Sequence, residues 1–351
     1  MESAPIGPMT KPDIGVLIYS DRDISETVEL AQLSEALGCK YFWYTDVRFA
    51  RECYIGLASV AGATKKILLA PGVTDPYSRH PAITAAAIAT LDEISNGRAV
   101  LGLGVGGAGF RELNLQTNLP VAAMREAVDI FRGLLHGKKV AVEGKVLSLD
   151  GGQLSFKPLR PDIPVFFATH GVQMSRLAGR IADGILIANT LNPSAFQLYV
   201  DKVDEGLQKE GRAPESMDIG LRVEACISSD AEAALNVMRR RVASRIIGQY
   251  PHWEYLEKTG LTLPEAFVAL GGQRGEDVIN EASRLIPLEV VDSMVLAGDA
   301  GRVAERLRQA LHPRVTQITL RPHAAPGENL STVIRTFVED VIPKATQHNA
   351  A

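Results

Sequence analysis

Asp46 is the side chain whose type and position best suit acid–base chemistry. It closes the apolar run 40–46, KYFWYTD, and Arg48 and Arg51 follow it. In proteins built from alternating strands and helices, ligands bind at the carboxyl ends of the strands, so a carboxylate there can exchange a proton with a substrate. The two arginines could hold Asp46 ionised or bind an acidic substrate instead. Asp46 is therefore the first candidate catalytic residue.

The segment 68–81, LLAPGVTDPYSRHP, ends an apolar strand in an unusual way. Pro71 and Gly72 interrupt the run, Val73 continues it, and a helix opens near His80. Irregular backbone at the end of a core strand is often part of a functional site. We therefore expect Gly72 and Val73 to lie at the site, and we expect His80 to cap or pack the helix rather than act as a base.

A glycine-rich loop, GLGVGGAGF, covers residues 102–110. Gly104, Gly106 and Gly109 can be fitted to the G-x-G-x-x-G pattern of dinucleotide-binding folds. That pattern belongs in the first strand–helix unit and needs an acidic residue at the end of the next strand, whereas this loop follows the fourth strand. Glycines in such a loop let the backbone approach a ligand or another strand. The sequence predicts that close approach rather than a dinucleotide motif.

The turn within 168–179, ATHGVQMSRLAG, joins a strand to a helix and has the form of an anion site. Backbone N–H groups at a helix start are unpaired, and the helix dipole favours a negative charge there. The residues that could hold a phosphate in this way are Thr169, His170, Gly171, Val172 and Gln173. An ordinary turn in which Thr169 or Gly171 caps the helix explains the same residues equally well.

Composition and charge argue against several classes of protein. The 351 residues carry a net charge of −4 and show no basic cluster, which argues against nucleic-acid binding. No segment approaches the ~20 apolar residues of a membrane span, and the first residues carry no targeting signal, so we expect a cytoplasmic protein. Cys39, Cys53 and Cys226 lack metal-ligand and disulfide-framework spacing, and the histidines lack metal spacing. We therefore predict buried, reduced thiols and no metal site.

The elements that must position these residues alternate along the chain. Apolar runs are followed almost every time by an amphipathic helix, which forces a parallel sheet covered by helices. The predicted strands are 13–20, 40–46, 66–73, 98–107, 163–171, 185–190, 217–228 and 315–322. Eight evenly spaced units favour a closed barrel, although an open doubly wound sheet has the same local pattern. Residues 138–162 indicate a β-hairpin, and residues 247–290 a mostly helical insertion.

Taken together, the chain resembles the luciferase-like monooxygenase superfamily of flavin- and deazaflavin-dependent oxidoreductases. The stretches that carry the resemblance are, in the family's order, APGVTDPYSRHPAITAAAIATLDEISNGRAVLGLGVG, AAMREAVDIFRGLLHGKKVAVEGKVLSL, PVFFATHGVQMSRLAGRIADGILI and AGDAGRVAERLRQAL. They span most of residues 13–322. The subgroup that the chain resembles is that of methylenetetrahydromethanopterin reductase, which uses the deazaflavin coenzyme F-420 (F420).

The resemblance implies an α/β fold, a (β/α)8 TIM barrel with a helical insertion before the last strand. It implies a single domain over residues 1–351, in which the insertion at 247–290 covers the active site. The implied reaction is hydride transfer between F420 and a small organic substrate. The alternatives are an FMN-dependent monooxygenase that uses O2 and reduced flavin, and a member that binds its ligand without turnover. The resemblance further implies a homodimer or a higher homo-oligomer.

The resemblance also assigns roles to residues singled out above. It implies a cis peptide bond between Gly72 and Val73 at the central ring of the coenzyme. The residues implied to line that ring are Gly72, Val73, Gly104, Val105 and Gly106. The turn at 169–173 would bind the coenzyme phosphate through backbone N–H groups, and Asp46 would lie near the ring.

Four positions depart from the family's pattern. Relatives often carry His where Val47 stands, a proton-donating Asp or Glu at Gly107, and a basic residue at Gln173, and the reductase has Glu at Leu17. These departures argue against the methanopterin reaction and leave the proton donor open. The remaining candidates for the donor are Glu112, Tyr44 and His170.

Overall fold

Short apolar strands form the centre of the protein. The structure, a computed structural model, describes residues 11–169, 171–188, 190–250, 253, 256 and 260–347. Its strands are β1 (Asp13–Ile18), β2 (Tyr41–Tyr44), β3 (Leu68–Pro71), β4 (Leu101–Leu103), β5 (Val140–Glu143), β6 (Ser148–Gly152), β7 (Val165–Thr169), β8 (Gly184–Ala188), β9 (Asp218–Ile227), β10 (Leu296–Gly298) and β11 (Gln317–His323).

Eight of these strands form a parallel barrel in the order β3–β2–β1–β11–β9–β8–β7–β4. Two isolated bridges, Leu69 to Ala99 and Thr74 to Leu103, close the ring between β3 and β4. Parallel neighbours need long crossover connections, and helices supply them here. The prediction of a closed (β/α)8 TIM barrel is confirmed.

Helices follow the strands and cover the outside of the barrel. They are α1 (Ile24–Ala36), α2 (Cys53–Ala63), α3 (Pro81–Ile94), α4 (Pro120–Leu135), α5 (Val172–Ile181), α6 (Pro193–Lys209), α7 (Ala231–Gly248), α8 (Glu265–Val268), α9 (Glu276–Leu285), α10 (Leu288–Met294), α11 (Ala300–Ala310), α12 (Leu330–Thr336) and α13 (Ile342–Thr346). In α4, Pro120 occupies the first turn, and Met124, Ala127 and Phe131 recur at helical spacing on the buried face. Within the described part of the chain, no helix is long and apolar enough to cross a membrane.

Side chains of the strands alternate between two apolar layers. On β2, Phe42 and Tyr44 belong to the large cluster between strands and helices, whereas Tyr41 and Trp43 point into the barrel. The interior layer consists of Leu17, Tyr41, Trp43, Ala70, Val100, Phe166 and Leu186. Tyr41 and Trp43 therefore pack the barrel interior. This layer fills the barrel and forms a floor beneath the carboxyl ends of its strands.

Two segments interrupt the repeat where the sequence indicates. Strands β5 and β6 pair antiparallel, as expected for a hairpin within 138–162. After α7, the helices α8, α9 and α10 form an insertion with an apolar cluster of its own, which reaches the barrel at Cys226, Ala297 and Ala325. Residues 251, 252, 254, 255 and 257–259 of this insertion lie outside the described residues.

The strand β10 was not predicted. It pairs with 225–227 of β9, beyond the last pair between β9 and β8, which joins Arg222 to Ala188. A three-residue apolar run directly after a helix has too little periodicity to be distinguished from that helix. With β10 beside it, β9 extends the barrel wall at its carboxyl end.

Candidate active site

The end of β3 carries one residue more than the strand beside it. Between the two bridges that close the barrel, the chain advances five residues on the β3 side but four on the β4 side. This is a β-bulge, a feature that is common next to active sites. The peptide bond between Gly72 and Val73 within it is cis, as predicted. Both residues are partly exposed although the strand before them is mostly buried.

Two glycines near the end of β4 make room for this bulge. A Cβ on Gly102 would lie 2.1 Å from the carbonyl oxygen of Pro71, and one on Gly104 would lie 2.7 Å from Cγ2 of Val73. At these two positions, the close approach predicted for the glycine-rich loop is therefore to the neighbouring strand. Val105 is half-buried and Gly106 is exposed, so the loop emerges at the surface after Gly104.

Asp46 lies just past β2 in a mostly buried position. Its side chain is 14% exposed, and one carboxylate oxygen is 4.0 Å from Nε of Arg79. Burial raises the pKa of Asp46 above its usual value, while Thr74, Arg48 and Arg79 act in the opposite direction. The Thr74 hydroxyl is buried and has no partner in hydrogen-bond geometry among the described residues. A carboxyl that keeps its proton more readily than usual is a candidate for proton transfer.

The two arginines that could hold Asp46 ionised form their ion pairs with other groups. Arg48 forms a buried ion pair with Asp75 and also donates to the Ser78 hydroxyl. Arg51 binds the turn before α1. The arginine beside Asp46 is Arg79, because the chain after β3 returns past the end of β2, whereas Arg48 favours the ionised form of Asp46 without pairing with it.

The amino end of α5 presents unpaired backbone donors. Gly171 is its N-cap residue and supplies no side-chain cap, and the N–H of Gly171 donates to Oγ1 of Thr169 at 3.0 Å. Among the described residues, no group accepts a hydrogen bond from the N–H of Val172 or Gln173, and both side chains are exposed. Thr169 therefore shapes the turn while the helix donors stay available to an anion. His170, predicted at the same turn, lies outside the described residues.

The other predicted acid–base candidates lie away from the bulge. Glu112 is 49% exposed and pairs with the neighbouring Arg111 at 3.3 Å. Tyr44 is fully buried on the helix side of β2, where its ring packs on Gly56 of α2, so its assignment as a possible proton donor is wrong. His80 caps α3 by accepting the N–H of Ala82, as predicted.

The sequence interpretation missed a cluster of charged side chains contributed by two barrel strands and the helix α7, here called the arginine cluster. Its members are Arg222 and Glu224 of β9, Arg241 and Arg245 of α7, and Arg321 and His323 of β11. Leu221 and Val223 belong to the outer apolar layer, so the charged residues that alternate with them face inward. That alternation is visible in the sequence LRVEAC and could have revealed the inward-facing charges of β9, though not their partners on α7 and β11.

Glu224, at the centre of the arginine cluster, is 1% exposed. Its carboxylate accepts from Nε of Arg241 at 2.8 Å and from Nε2 of His323 at 2.9 Å, and it also pairs with Arg245. Burial alone would raise the pKa of Glu224, but His323 and the arginines hold it well below its usual value. Burial lowers the pKa of His323 below its usual value, although the hydrogen bond to Glu224 acts in the opposite direction.

The carboxyl end of the barrel therefore combines groups that serve different purposes. The bulge offers a partly exposed surface, Asp46 a carboxyl with a raised pKa, and α5 unpaired N–H donors. Among the described residues, no group of three or more His, Cys, Asp or Glu is arranged to bind a metal ion. This set of residues suits an organic ligand with an anionic group.

Comparison with known proteins places the fold and site in one family. The family model described as luciferase-like monooxygenase matches residues 5–317. The chain belongs to the luciferase-like monooxygenase family, and its relatives are named as oxidoreductases. The protein is accordingly an enzyme of this oxidoreductase class.

Individual relatives match nearly the whole chain. A 5,10-methylenetetrahydromethanopterin reductase of Archaeoglobus fulgidus is 32% identical over 334 residues, which cover 94% of this chain and 98% of the relative. The structure of the coenzyme F420 dependent tetrahydromethanopterin reductase of Methanopyrus kandleri superposes with a TM-score of 0.84 at 28% identity, covering 95% of this chain and 99% of that one. An F420-dependent glucose-6-phosphate dehydrogenase of Microbacterium testaceum is 26% identical over 316 residues, 86% of this chain and 85% of the relative.

Proposed function

We propose that the protein binds F420 at the carboxyl end of its barrel and catalyses hydride transfer between F420 and a small organic substrate. The observation that carries this proposal is the full-length match to the F420-dependent reductase of Methanopyrus kandleri. F420, when bound, supplies or accepts the hydride. The contribution of the protein is to bind and orient the coenzyme and the substrate and to exclude water from them.

The residues at the barrel mouth fit this coenzyme. The partly exposed bulge at Gly72 and Val73 and the loop at 104–106 would line its ring. The unpaired N–H groups at the start of α5 would hold its phosphate, with Thr169 fixing the turn. Beneath them, the apolar floor around Trp43 keeps water from the inner side of the site.

Asp46 is the proposed proton-transfer residue of the substrate reaction. It stands beside the bulge, and burial lets it keep a proton at a higher pH than an exposed carboxyl does. The carboxylate of Glu112 is the second candidate from the sequence, but it lies exposed beside Arg111. Asp46 therefore has the better position and environment for exchanging a proton with a bound substrate.

An FMN-dependent monooxygenase is the alternative, because the matching family model is described as luciferase-like monooxygenase. The structures of a riboflavin lyase with modified FMN and of a Baeyer–Villiger monooxygenase with FMN share the fold, each with a TM-score of 0.68, at 14% and 17% identity respectively. At these identities, the likeness concerns the fold alone.

Titration of the purified protein with oxidised F420 and with FMN, followed by fluorescence, tests the choice between the two cofactors. We expect F420 to bind much more tightly than FMN. Secondary alcohols, ketones, imines and activated alkenes would then be screened by the absorbance of F420. Tighter binding of FMN, with oxygen consumption by the reduced flavin, would contradict the proposal.

A further inference from the structure

The arginine cluster lies on the wall of the barrel opposite the bulge. In the closed circuit of eight strands, β9 is four strands from β3 in either direction, and β11 is four strands from β4. Arg321 and Glu224 are direct register partners on β11 and β9. A substrate between the two walls would therefore have the proposed coenzyme surface on one side and the arginine cluster on the other.

The arginine cluster has more positive than negative charge. Within the described residues, Arg241, Arg245 and Arg321 all form ion pairs with the same carboxylate, that of Glu224. Among the described residues, these are three guanidinium groups that share one carboxylate. Burying positive charges without matching negative charge is unfavourable, so this arrangement suits an additional anion.

One donor in the arginine cluster also lacks a partner. Nη1 of Arg245 is buried and finds no hydrogen-bond acceptor among the described residues. A buried donor of this kind is normally paired in a folded protein or in its complex with a ligand. Arg241 remains 30% exposed and His323 19% exposed, so solutes can reach the arginine cluster.

We propose that the arginine cluster binds an oxoanion of the substrate, a carboxylate or a phosphate group, and so selects small anionic substrates. This inference rests on the proposed function for the hydride transfer but assigns a separate anion site. Glu224 holds the guanidinium groups in place through hydrogen bonds, and the excess charge is left for the ligand. Charge-assisted contacts to arginine are the usual means of recognising both kinds of oxoanion.

Calorimetric titration of the full-length protein with inorganic phosphate and with acetate, at constant ionic strength, tests the site directly. Acetamide, a neutral molecule of the same shape as acetate, is the matched control ligand. We expect at least one of the two anions to bind and acetamide not to bind. The anion that binds more tightly identifies the substrate group as a phosphate or a carboxylate. Absence of binding by both would overturn the inference.

Three variants locate the site. Arg321→Met should weaken anion binding about tenfold to a hundredfold, since one charged hydrogen-bond donor is lost. Glu224→Gln should strengthen anion binding, because the variant no longer has the internal carboxylate that competes with the anion. If Glu224→Gln does not fold, Arg241→Gln, at a more exposed position, should again weaken anion binding. Arg335→Met, on the outer surface, is the control and should leave anion binding unchanged.

Titration of the same variants with F420 separates this inference from the proposed function. We expect Arg321→Met to bind F420 as the unaltered protein does. If it loses affinity for F420 but not for the anions, the arginine cluster holds the acidic tail of the coenzyme, and the inference is overturned. If the unaltered protein binds anions in an Arg321-dependent way but does not bind F420, the proposed function fails while the anion site stands.

Discussion

Asp46 shows how opposing influences act on one side chain. Burial favours the protonated carboxyl, and Arg48 and Arg79 favour the ionised form without forming a close ion pair with it. The pKa in the folded state is raised, so the folded protein binds the Asp46 proton more tightly than the unfolded chain does. This carboxyl therefore stabilises the fold least when it is ionised.

Asp46→Asn is expected to stabilise the protein at neutral pH. At a pH well below the usual pKa of an aspartic acid, both side chains are neutral and the difference in Tm should be small. As the pH rises from that usual value towards the raised pKa of Asp46 in the folded state, the unaltered protein loses stability relative to the variant, and the difference levels off above the raised pKa. Thermal unfolding followed over this range of pH measures the difference. A difference in Tm that stays constant or reverses with pH would show that burial does not control the pKa of this carboxyl.

Asp46→Asn is also expected to lower turnover by about 10²–10⁴-fold, the usual contribution of a positioned acid or base. The affinity for F420 should stay within a few-fold, because the amide keeps the shape of the carboxyl. Glu112→Gln is the matched control and should change turnover little, since that carboxylate is exposed. A collapse of F420 binding in Asp46→Asn would instead make Asp46 a coenzyme-binding residue.

At the scale of single residues, the sequence predicts those residues whose position depends only on where a strand ends. Asp46 is a candidate because it ends an apolar run. Gly72 and Val73 are candidates because Pro71 interrupts such a run. Arg79 could not be found beside Asp46, since their approach depends on how the chain after β3 turns back. The arginine cluster joins β9, α7 and β11, which are too far apart in sequence for spacing alone to place them together.

At the scale of elements, the start of α5 offers a test of backbone anion binding. Val172 is the first residue of the helix, where proline fits well, and the extended backbone of Gly171 tolerates a following proline. Val172→Pro therefore removes one N–H donor with little change in the fold. We expect it to weaken F420 binding about tenfold or more, as the loss of a charge-assisted hydrogen bond does.

Gln173→Ala is the control for this prediction, because it removes a side chain and keeps the N–H. F420 affinity from fluorescence titration and Tm would be measured for both variants. Equal affinities for Val172→Pro and the unaltered protein, with unchanged Tm, would show that the phosphate binds elsewhere.

Elements were predicted where they are long or regular. The alternation of strands and helices predicted the eight barrel strands, because each strand carries an apolar run and is followed by a helix of clear period. It did not predict β10, whose three residues are defined by their pairing with β9. The predicted strands were also longer than the observed ones, since loops that continue an apolar run look the same as strand.

At the scale of the whole molecule, Arg98 joins several elements at the amino ends of the strands. Its buried guanidinium donates five hydrogen bonds, to the carbonyl oxygens of Ala61, Thr64, Ile67 and Ser95 and to the Thr64 hydroxyl. These contacts connect the end of α2, the start of β3 and the end of α3. In barrels of this type, the amino-terminal face serves stability rather than chemistry.

Arg98→Met is expected to lower the free energy of unfolding by about 3 kcal/mol or more, because several buried carbonyl oxygens lose their partner at about 1–3 kcal/mol each. Urea denaturation measures the loss. Arg335→Met, a surface control, should stay within about 0.5 kcal/mol of the unaltered protein. F420 affinity of the folded Arg98→Met protein should be unchanged, and a large loss of affinity would contradict the separation of the two faces.

The insertion helices α8, α9 and α10 have an apolar cluster separate from the one beneath the barrel helices. Substitutions among their side chains therefore disturb that small cluster first and leave the packing of the barrel intact. Over evolutionary time, such a segment accumulates changes faster than the strands that carry it. A lineage that inherits this barrel can thus vary the insertion while the barrel strands pass unchanged to its descendants.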